Sequence, residues 1–413
     1  MSARLLLLTP ATSYRVSDFL EAARQLGVEA IVGSNQPLVI DRFSSGRTVS
    51  LNFNSLDEGV ARIVDHARHY PVNAVIGVDE ETTLLASAAS EALQLPHNSV
   101  DSVQAAHNKY RFRTTLAQAG LPSPPFGLVS LQDDLEAVAA SVSYPCVLKP
   151  LNLSASRGVI RADDPTGFVA AAHRIGTILQ SIKSAADEFS ESILVEAFIP
   201  GWEVALEGLL DDGHLKVLAV FDKPEPLEGP FFEETIYVTP SRLSETQQQA
   251  VISATSEAAG ALELKTGPIH AELRINGAGA CLIELAARSI GGRCSRALSF
   301  GNGMRLEELI LRHALGLPIA HVDRDACATG VMMIPVPRAG RLSGVNGLGA
   351  ARAVAGIDDV TIDAHIGEEL VPLPEGDRYL GFIFARAHEP GEVESALRSA
   401  HKRLRFEIAP ERP

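Results

Sequence analysis

Hydrophobic residues in the N-terminal part of the chain form short continuous runs that alternate with amphipathic stretches. Continuous apolar runs are typical of strands buried on both faces of a parallel sheet, and apolar residues spaced three or four apart are typical of helices. The runs are 4–9, 30–33 and 74–78, and the helical stretches are 17–26 and 56–69. This alternation predicts a doubly wound α/β domain over residues 1–100.

Two polar segments follow strands of this domain, at residues 9–13 and 79–81. Ligands commonly bind at the carboxyl ends of strands in such sheets. Plain turns and helix caps explain both segments at least as well, so neither is assigned a role. The domain has no GxGxxG fingerprint, which argues against a dinucleotide site.

A hairpin with a turn of small residues is predicted after residue 140. Residues 144–150 form a short strand that ends near Lys149, residues 152–158 form a turn rich in Ser, and a strand resumes at residue 159. The N–H and O–H groups of such a turn can donate to phosphate oxygens, with Lys149 as the countercharge. The turn lacks the GxxxxGK[ST] pattern of a P-loop, and a lysine alone is more often a surface residue.

The remaining pattern predicts further strands and helices in an irregular order. Strands are expected at 192–197, 203–209 and 215–221, and helices at 107–119, 133–141, 168–185, 244–262 and 306–315. After residue 320, short strands at 330–335, 339–345, 350–354 and 381–387 lie among Gly and Pro residues, with a last helix at 393–404. This change of texture predicts a small β-rich C-terminal domain.

Two runs of alternating apolar and polar residues flank a glycine-rich break between residues 267 and 296, which predicts a β-hairpin. Apolar side chains that share the buried face fix the register of such a pair. The faces are Ala271, Leu273 and Ile275 on the first strand and Cys281, Ile283 and Leu285 on the second. This register places Glu272 directly opposite Glu284. It requires a connection with an odd number of residues, of which 277–279 is the simplest, because a two-residue loop would put the glutamates on opposite faces.

The opposed glutamates predict a cation site. Two carboxylates directly opposite on a sheet repel each other, and hard cations such as Mg²⁺ prefer carboxylate oxygens. Arg288 follows and can hold an anionic group in a fixed geometry, while Gly291 and Gly292 let backbone N–H groups approach a ligand closely. The hypothesis is a metal–nucleotide site with an anion clamp, and the alternative is an ordinary hairpin with a solvated acidic face.

Composition narrows the class of protein. The chain has 413 residues, enough for two to four domains, and a net charge of -15, which argues against a nucleic-acid surface but not against small anionic ligands. Its four cysteines form no CxxC pair, so free thiols in a reducing compartment are expected. The apolar run at residues 5–8 is too short for a signal peptide or a membrane span. We expect a cytoplasmic protein that binds neither nucleic acid nor membrane.

Several of these segments together resemble the ATP-grasp superfamily of carboxylate–amine ligases. They are 107–113 (HNKYRFR), 147–150 (VLKP), the loop 154–158, 194–203 (LVEAFIPGWE), and Glu272 with Glu284 and Arg288. Three further segments are similar to the L-amino acid ligases, which join two amino acids into a dipeptide. These are 231–235 (FFEET), 270–272 (HAE) and 283–292 (IELAARSIGG).

The resemblance implies an N-terminal doubly wound parallel-sheet domain at 1–100, an ATP-grasp domain at 101–318 with a mobile β-rich lid at about 143–200, and a β-rich C-terminal domain at 319–413. It implies ATP and Mg²⁺, with Mn²⁺ as an alternative ion, small carboxylate and amine substrates, and, by analogy, a homodimer. The cofactor-binding residues would be Lys109, Lys149, Ser154, Ser156, Gly158, Glu196, Phe198, Ile199, Glu203 and Lys223. Glu272 and Glu284 would hold the metal, and Arg288, Glu233, Gly291 and Gly292 would act on the substrates.

The activity implied is amide-bond formation through an acyl phosphate, with release of ADP and phosphate. Many ATP-grasp enzymes carry an Asn two residues after the second metal glutamate, where this chain has Ala286, so the number of metal ions is open. A purine-pathway ligase or carboxylase shares the same core, but no phosphoribosyl site is evident in the N-terminal domain. A non-catalytic nucleotide-binding regulator and a metal hydrolase are further alternatives. The residue set disfavours both, because Lys, Glu and Arg are all present and His270 is the one imidazole near the glutamates.

Overall fold

The computed structural model describes residues 3–36, 48–182, 191–301, 303–319 and 323–410. The helix expected at 168–185 ends outside these ranges, and its described part belongs to a helix over Pro165–Ser181. All four cysteines are free thiols, as expected from their spacing. No helix within these ranges is both long and apolar enough to cross a membrane.

The N-terminal domain is a parallel sheet, as the continuous apolar runs predicted. Leu5 and Leu7 pack into one hydrophobic cluster and Leu6 and Leu8 into another, so both faces of the first strand are buried. The strands in spatial order are β3 (Thr48–Ser50), β2 (Glu29–Ser34), β1 (Arg4–Leu8) and β4 (Ala74–Gly77), and the helices are α1 (Val16–Leu26), α2 (Leu56–His69) and α3 (Glu80–Ala92).

Two helices that meet at Asn108 lead away from this domain: α4 (Val100–His107) and α5 (Lys109–Gln118). The prediction of one helix at 107–119 was wrong at its start, because Asn108 has an extended backbone that ends α4. The Asn108 side chain accepts hydrogen bonds from the N–H groups of Tyr110 and Arg111, which makes it the N-cap of α5. Lys109 is therefore held at the first position of α5.

The segment expected as the lid belongs to a four-stranded antiparallel sheet, which we call the lid. Its strands in spatial order are β5 (Phe126–Ser130), β8 (Ser192–Ala197), β6 (Cys146–Pro150) and β7 (Ile160–Ala162), and α6 (Leu135–Ser141) and α7 (Pro165–Ser181) share its core. Strands β6 and β7 are the two arms of the hairpin expected after residue 140. The Ser-rich loop joins them, so Lys149 lies where the lid strand meets that loop.

The centre of the molecule is one eight-stranded sheet that runs into the C-terminal part of the chain. Its strands in spatial order are β13 (Gly279–Ala286), β12 (Gly267–Asn276), β9 (Trp202–Asp211), β10 (His214–Asp222), β11 (Ile236–Thr239), β16 (Ala328–Ile334), β20 (Gly381–Ala387) and β18 (Ile357–Ile362). Strand β11 pairs with β16, so the sheet crosses the boundary expected near residue 319. The connecting elements are α8 (Glu245–Ala261), the short pair β14 (Ser299–Phe300) and β15 (Met304–Arg305), and α9 (Leu306–Ala314).

The C-terminal part is rich in strands, as expected, but the strand predicted at 350–354 was wrong. A short helix, α10 (Leu348–Arg352), lies there, because Gly347 turns the chain with a φ of 84° and the following residues favour helix. A second sheet orders β19 (Glu369–Leu370), β17 (Gly340–Asn346) and β21 (Arg405–Ala409), and α11 (Pro390–His401) packs against β16 and β20.

The central hairpin places Glu272 opposite Glu284, as predicted, but by a different route. Its loop has two residues, since Asn276 pairs with Gly279, and a β-bulge follows because Leu273 pairs with Leu282. The bulge inserts Ile283 as an extra residue and so returns Glu284 to the face of Glu272.

The bulge also corrects the predicted inner face of β13. Leu282 and Leu285 join Ala271, Leu273 and Ile275 in the hydrophobic cluster, whereas Cys281 and Ile283 are only partly buried. An extra residue shifts the alternation of side chains by one position, so the residues before and after it cannot share one simple period.

Gly330 tests the seam between the central sheet and the C-terminal helix. A Cβ at Gly330 would lie 2.8 Å from the carbonyl oxygen of Tyr237 and 2.7 Å from a methyl group of Val393 on α11. We expect Gly330→Ala to lower the free energy of unfolding by about 2 kcal/mol through overpacking. Chemical denaturation measures this.

Gly260→Ala is the matched control, because Gly260 lies in helix α8 with nothing within 4 Å of an added Cβ. That change should leave stability equal or raise it by up to about 1 kcal/mol. Equal stability of the two variants would contradict the tight seam.

Candidate functional site

A cavity of about 550 Å³ opens where the N-terminal domain, the lid, the central sheet and the C-terminal part meet. The carboxyl ends of the parallel strands, the lid loop and the central hairpin all contribute walls, so residues far apart in sequence converge. The predicted site residues that line it are Lys109, Lys149, Ser154, Ser156, Glu196, Phe198, Ile199, Glu203, Glu272, Glu284, Arg288, Gly291 and Gly292.

Three predicted residues do not line this cavity. Gly158 is the last residue of the lid loop, and its N–H donates to the carbonyl of Pro374 at 2.9 Å, away from the cavity. Lys223, predicted to bind the nucleotide, is buried beneath the cavity wall. Glu233 lines a second, separate cavity.

Glu234, rather than Glu233, faces the main cavity. Alternate residues of an extended segment point to opposite sides, so Phe232 and Glu234 line the main cavity while Phe231 and Glu233 line the second one. The sequence placed two glutamates side by side, and only the direction of the backbone decides which of them enters the site.

Glu196 of the lid strand β8 is held by two cations. Its carboxylate lies 2.5 Å from Lys149 Nζ and 2.7 Å from Arg113 Nε, and all three side chains are buried. Burial alone would raise the pKa of Glu196, but Arg113 and Lys149 outweigh it and lower the pKa to about 2. The carboxylate therefore stays ionised and fixes Lys149 at the cavity wall.

Arg113 also accounts for the bulge in the central hairpin. Its Nη1 donates to the carbonyl of Leu282 at 2.9 Å, and its Nη2 donates to the carbonyl of Ile283 at 3.1 Å. A bulge leaves a backbone group without a ladder partner, and a guanidinium with five N–H donors can satisfy it. One arginine thus joins the lid strand to the strand that carries Glu284.

Lys109 lies between the lid loop and Glu284 of the central hairpin. Its Nζ donates to the carbonyl of Leu153 at 2.6 Å and lies 3.6 Å from Glu284. Two consecutive loop residues, Ala155 and Ser156, have positive φ angles of 56° and 54°. The loop is therefore a tight turn whose start is held by a charged side chain at the N-terminus of α5.

Lys223 lies among three carboxylates under the cavity floor. Its Nζ is 2.9 Å from Glu203, 2.5 Å from Glu234 and 3.2 Å from Glu272. Oxygens of the three glutamates lie within 4.8 Å of one another, close enough to share a metal ion. In this structure the buried ammonium compensates their charge instead, and its pKa is raised well above its ordinary value because those carboxylates outweigh the effect of burial.

Neighbouring strands carry matched charges in this floor. Across β9 and β12, Glu203 pairs with Arg274 and Glu207 pairs with His270. Arg274 Nε donates to Glu203 at 2.8 Å, and its Nη1 donates to the carbonyl of Ile199 at 2.8 Å. Lys223 and Arg274, both buried, thus pair with the two carboxylate oxygens of Glu203.

His270 connects two glutamates of the cavity floor. Its Nδ1 is 3.2 Å from Glu207 and its Nε2 is 3.4 Å from Glu272. Burial would lower the pKa of His270, but hydrogen bonds to these two glutamates raise it to about 9. Glu207 in turn accepts the backbone N–H of Ile290 at 3.0 Å, just before Gly291 and Gly292. The sequence assigned Glu207 no role, although its spacing of four from Glu203 on a strand puts both on one face.

The carboxylates of the hairpin fit a divalent ion. Glu272 and Glu284 are paired residues that both face the cavity, and Glu284 keeps 29% of its side-chain surface exposed. Burial would raise the pKa of Glu272, but Lys223 and His270 hold it well below its ordinary range, so it is available as an anionic ligand. Ala286 lies at the cavity wall opposite His270 and offers no side-chain oxygen.

Arg288 is held by a carboxylate of the N-terminal domain, which sequence reasoning missed. Its Nε lies 2.5 Å from Glu80, and His107 Nδ1 lies 3.1 Å from the other oxygen of that carboxylate. Burial would raise the pKa of Glu80, but Arg288 and His107 lower it to about 2. The polar segment after β4 was the available signal, although a helix cap explained it equally well.

The loop after Arg288 is fixed by a second contact with the N-terminal domain. Arg15 is fully buried, its Nη2 donates to the hydroxyl of Ser289 at 2.5 Å, and its Nη1 donates to the carbonyl of Val78 at 2.7 Å. Residues at the carboxyl ends of the parallel strands therefore fix the position of Arg288, the predicted anion clamp.

Comparison with known proteins matches two parts of the chain to families. Residues 142–297 match the ATP-grasp domain, and residues 332–409 match the L-amino acid ligase C-terminal domain 2. The crystal structure of L-amino acid ligase from Bacillus licheniformis superposes with a TM-score of 0.81 over 99% of each chain, at 25% identity.

Two sequence relatives extend this picture. The alanine–anticapsin ligase of Bacillus subtilis is 28% identical over 269 residues, which cover 62% of this chain and 56% of that ligase. Uncharacterized protein y4rH of Sinorhizobium fredii is 22% identical over 411 residues, 98% of this chain and 84% of that protein.

Glu196→Gln tests the charge pairing in the lid strand. The change leaves Arg113 and Lys149 buried without an anionic partner, so we expect the free energy of unfolding to fall by about 3 kcal/mol. Glu136→Gln is the matched control, because Glu136 is exposed on α6. Chemical denaturation of both proteins gives the comparison, and a loss for Glu196→Gln no larger than that of the control would refute the pairing.

Proposed function

We propose that this chain, an enzyme that combines an ATP-grasp domain with the C-terminal domain of the L-amino acid ligases, joins two amino acids by an amide bond at the expense of ATP. The observation that carries the proposal is the convergence in one cavity of phosphate-compatible lysines, paired carboxylates and a fixed arginine.

The nucleotide is assigned to the lid side of the cavity. Lys109 and Lys149 would face its phosphates, with the loop at Ser154 and Ser156 closing over them. The backbone at residues 196–199 would meet the adenine edge, beside Phe198 and Ile199. Glu203 would accept hydrogen bonds from the ribose hydroxyls through the oxygen lone pairs that are not used by Lys223 and Arg274.

Lys223 is assigned an indirect role. Because it lies below the wall and is surrounded by Glu203, Glu234 and Glu272, it keeps these carboxylates close together rather than touching phosphate. Gly158 likewise serves the lid through its backbone, not by contact with the nucleotide.

Glu272 and Glu284 are assigned to Mg²⁺, with Mn²⁺ as an alternative ion. These two residues would hold the ion, whose positive charge would reduce the repulsion that an attacking carboxylate meets at the phosphates. Ala286 contributes no ligand, so any further coordination would come from phosphate and water, which Mg²⁺ accepts readily.

The reaction needs no protein nucleophile. A substrate carboxylate oxygen attacks the γ-phosphorus of ATP, the bond to the β-phosphate oxygen breaks, and ADP leaves. The amine of the second substrate then attacks the acyl carbon and phosphate leaves. The protein orients the reactants and supplies positive charge, which together lower the barrier.

Arg288 is assigned to the substrate carboxylate and the acyl phosphate. Glu80 fixes its Nε edge and Ser289 accepts from Nη1 at 3.0 Å, so the guanidinium faces the cavity in one orientation. The N–H groups at Gly291 and Gly292 would stabilise the oxyanion. We transfer the role of orienting the amine from Glu233 to Glu234, because Glu234 lines the cavity.

The test of function measures phosphate release from ATP and Mg²⁺ with amino acids singly and in pairs, followed by mass spectrometry of the products. Amino-acid-dependent phosphate with a dipeptide mass would support the ligase. Phosphate with no dipeptide would indicate acyl phosphate formation without a matching amine. No release with any pair would reject the proposal and favour purine intermediates or a regulatory nucleotide-binding role.

Arg288→Ala tests the anion clamp. We expect kcat/KM for ligation to fall by at least about 100-fold, because charge that develops on the acyl phosphate loses its donor. ATP binding, measured by calorimetry, should remain within about threefold, since the nucleotide is assigned to the lid side.

Arg305→Ala is the control, because Arg305 is an exposed arginine of the same part of the chain. Arg288→Lys keeps a positive charge beside Glu80 but loses the planar guanidinium. It therefore separates loss of substrate binding by the guanidinium from the effect of leaving Glu80 without a cation. Turnover of Arg288→Ala close to that of the control would exclude the assigned role.

A further inference from the structure

A short segment of the C-terminal part, residues 374–379, touches both the lid and the cavity. We call this segment the strap. Pro374, Glu375 and Asp377 contact the lid at three points. Asp377, Arg378 and Tyr379 line the cavity. The strap precedes strand β20 of the central sheet, so its anchor is the sheet itself.

The first contact is a backbone hydrogen bond at the end of the lid loop. Gly158 donates its N–H to the carbonyl of Pro374 at 2.9 Å. Gly158 has a φ of 71°, and a Cβ there would lie 2.6 Å from the ring of Pro150. The loop therefore depends on a glycine at the place where its backbone reaches the strap.

The other two contacts are ion pairs. Arg157 lies 3.3 Å from Asp377, and Arg174 of helix α7 forms a bidentate pair with Glu375 at 2.5 and 2.9 Å. These side chains are partly exposed, so each pair stabilises the contact only weakly. Weak contacts of this kind suit a lid that has to open and close in each reaction cycle.

Arg174 also connects the contact to the segment that borders both cavities. Its guanidinium lies 4.9 Å from the centre of the Phe231 ring. Phe231 precedes Phe232 and Glu234, which line the main cavity.

On its other side the strap reaches the N-terminal domain. The guanidinium of Arg378 lies 5.8 Å from the centre of the Tyr14 ring, and Tyr379 packs edge-on against Phe382 of β20. Tyr14, Arg378 and Tyr379 all line the cavity, and Tyr14 and Tyr379 pack against Phe382, whose ring lies beside Gly292. One segment thus joins the wall on the substrate side to the lid loop.

We propose that the strap is the docking surface of the closed lid, with Arg174 and Glu375 as the positioning residues that latch it. Because the same segment carries Arg378 and Tyr379, closure of the lid over the nucleotide is coupled to the position of these two cavity-lining residues. The expected effect on the reaction rests on the proposed function. The expected effect on the docking of the lid does not. Neither residue touches the reacting atoms.

The kinetic consequence concerns water. An acyl phosphate is hydrolysed if water reaches it before the amine does, and a closed lid excludes water. A lid that fails to dock should therefore release phosphate without forming an amide. The quantity to measure is the ratio of phosphate released to dipeptide formed.

The test uses Arg174→Glu, Glu375→Arg and the double variant in the full chain. Each single reversal places like charges together, and the double variant restores an opposite pair. We expect the phosphate-to-dipeptide ratio to rise about fivefold or more in each single variant and to return towards the wild-type value in the double variant. Arg386→Glu is the matched control, because Arg386 pairs with Asp358 at a similarly exposed site away from the lid.

Hydrogen exchange of the lid loop gives a readout that needs no catalysis. Mass spectrometry of the peptide that contains Gly158 should show exchange about fivefold or more faster in each single variant, and slower again in the double variant. Exchange in the single variants equal to that of Arg386→Glu would overturn the latch. Absence of ligation by the wild type would reject the proposed function and leave this exchange result to decide the inference.

Discussion

Buried charge must be compensated, and the centre of this protein is built around that constraint. Lys223 lies among Glu203, Glu234 and Glu272. The buried carboxylates Glu196 and Glu207 and the largely buried Glu80 each have at least one cationic partner. Removing one partner from such a group leaves an uncompensated charge, which costs several kcal/mol. The positions of the charged side chains in the cavity wall are therefore determined by pairs of opposite charges and not by single residues.

The same pairs connect parts of the chain that are distant in sequence. Arg113 joins the lid to the central hairpin, Glu80 joins the parallel sheet to Arg288, and Glu207 joins a central strand to the loop before Gly291. A ligand that recruited one member of these pairs would change the electrostatic environment of the others. The same ion pairs thus hold the side chains of the cavity in place and set their charge states.

Much of the fold and of the site could be predicted from local patterns. The apolar runs identified the parallel sheet, and the opposed glutamates were placed correctly because both face the same side of the hairpin. The bulge could not be predicted, since Arg113, which satisfies its carbonyls, lies far away in sequence. The choice between Glu233 and Glu234, and the pairing of Arg288 with Glu80, likewise depend on tertiary contacts that no local period encodes.

The pairing of β11 with β16 has a consequence for synthesis of the protein on the ribosome. Strand β11, at Ile236–Thr239, finds its neighbour only when Ala328–Ile334 has been translated, and β20 and β18 follow later still. At typical translation rates β11 is left as an open edge for on the order of ten seconds. An unpaired edge of this kind is a template for pairing with another nascent chain. The protein is therefore most exposed to chaperones and to aggregation just before its last fifth emerges.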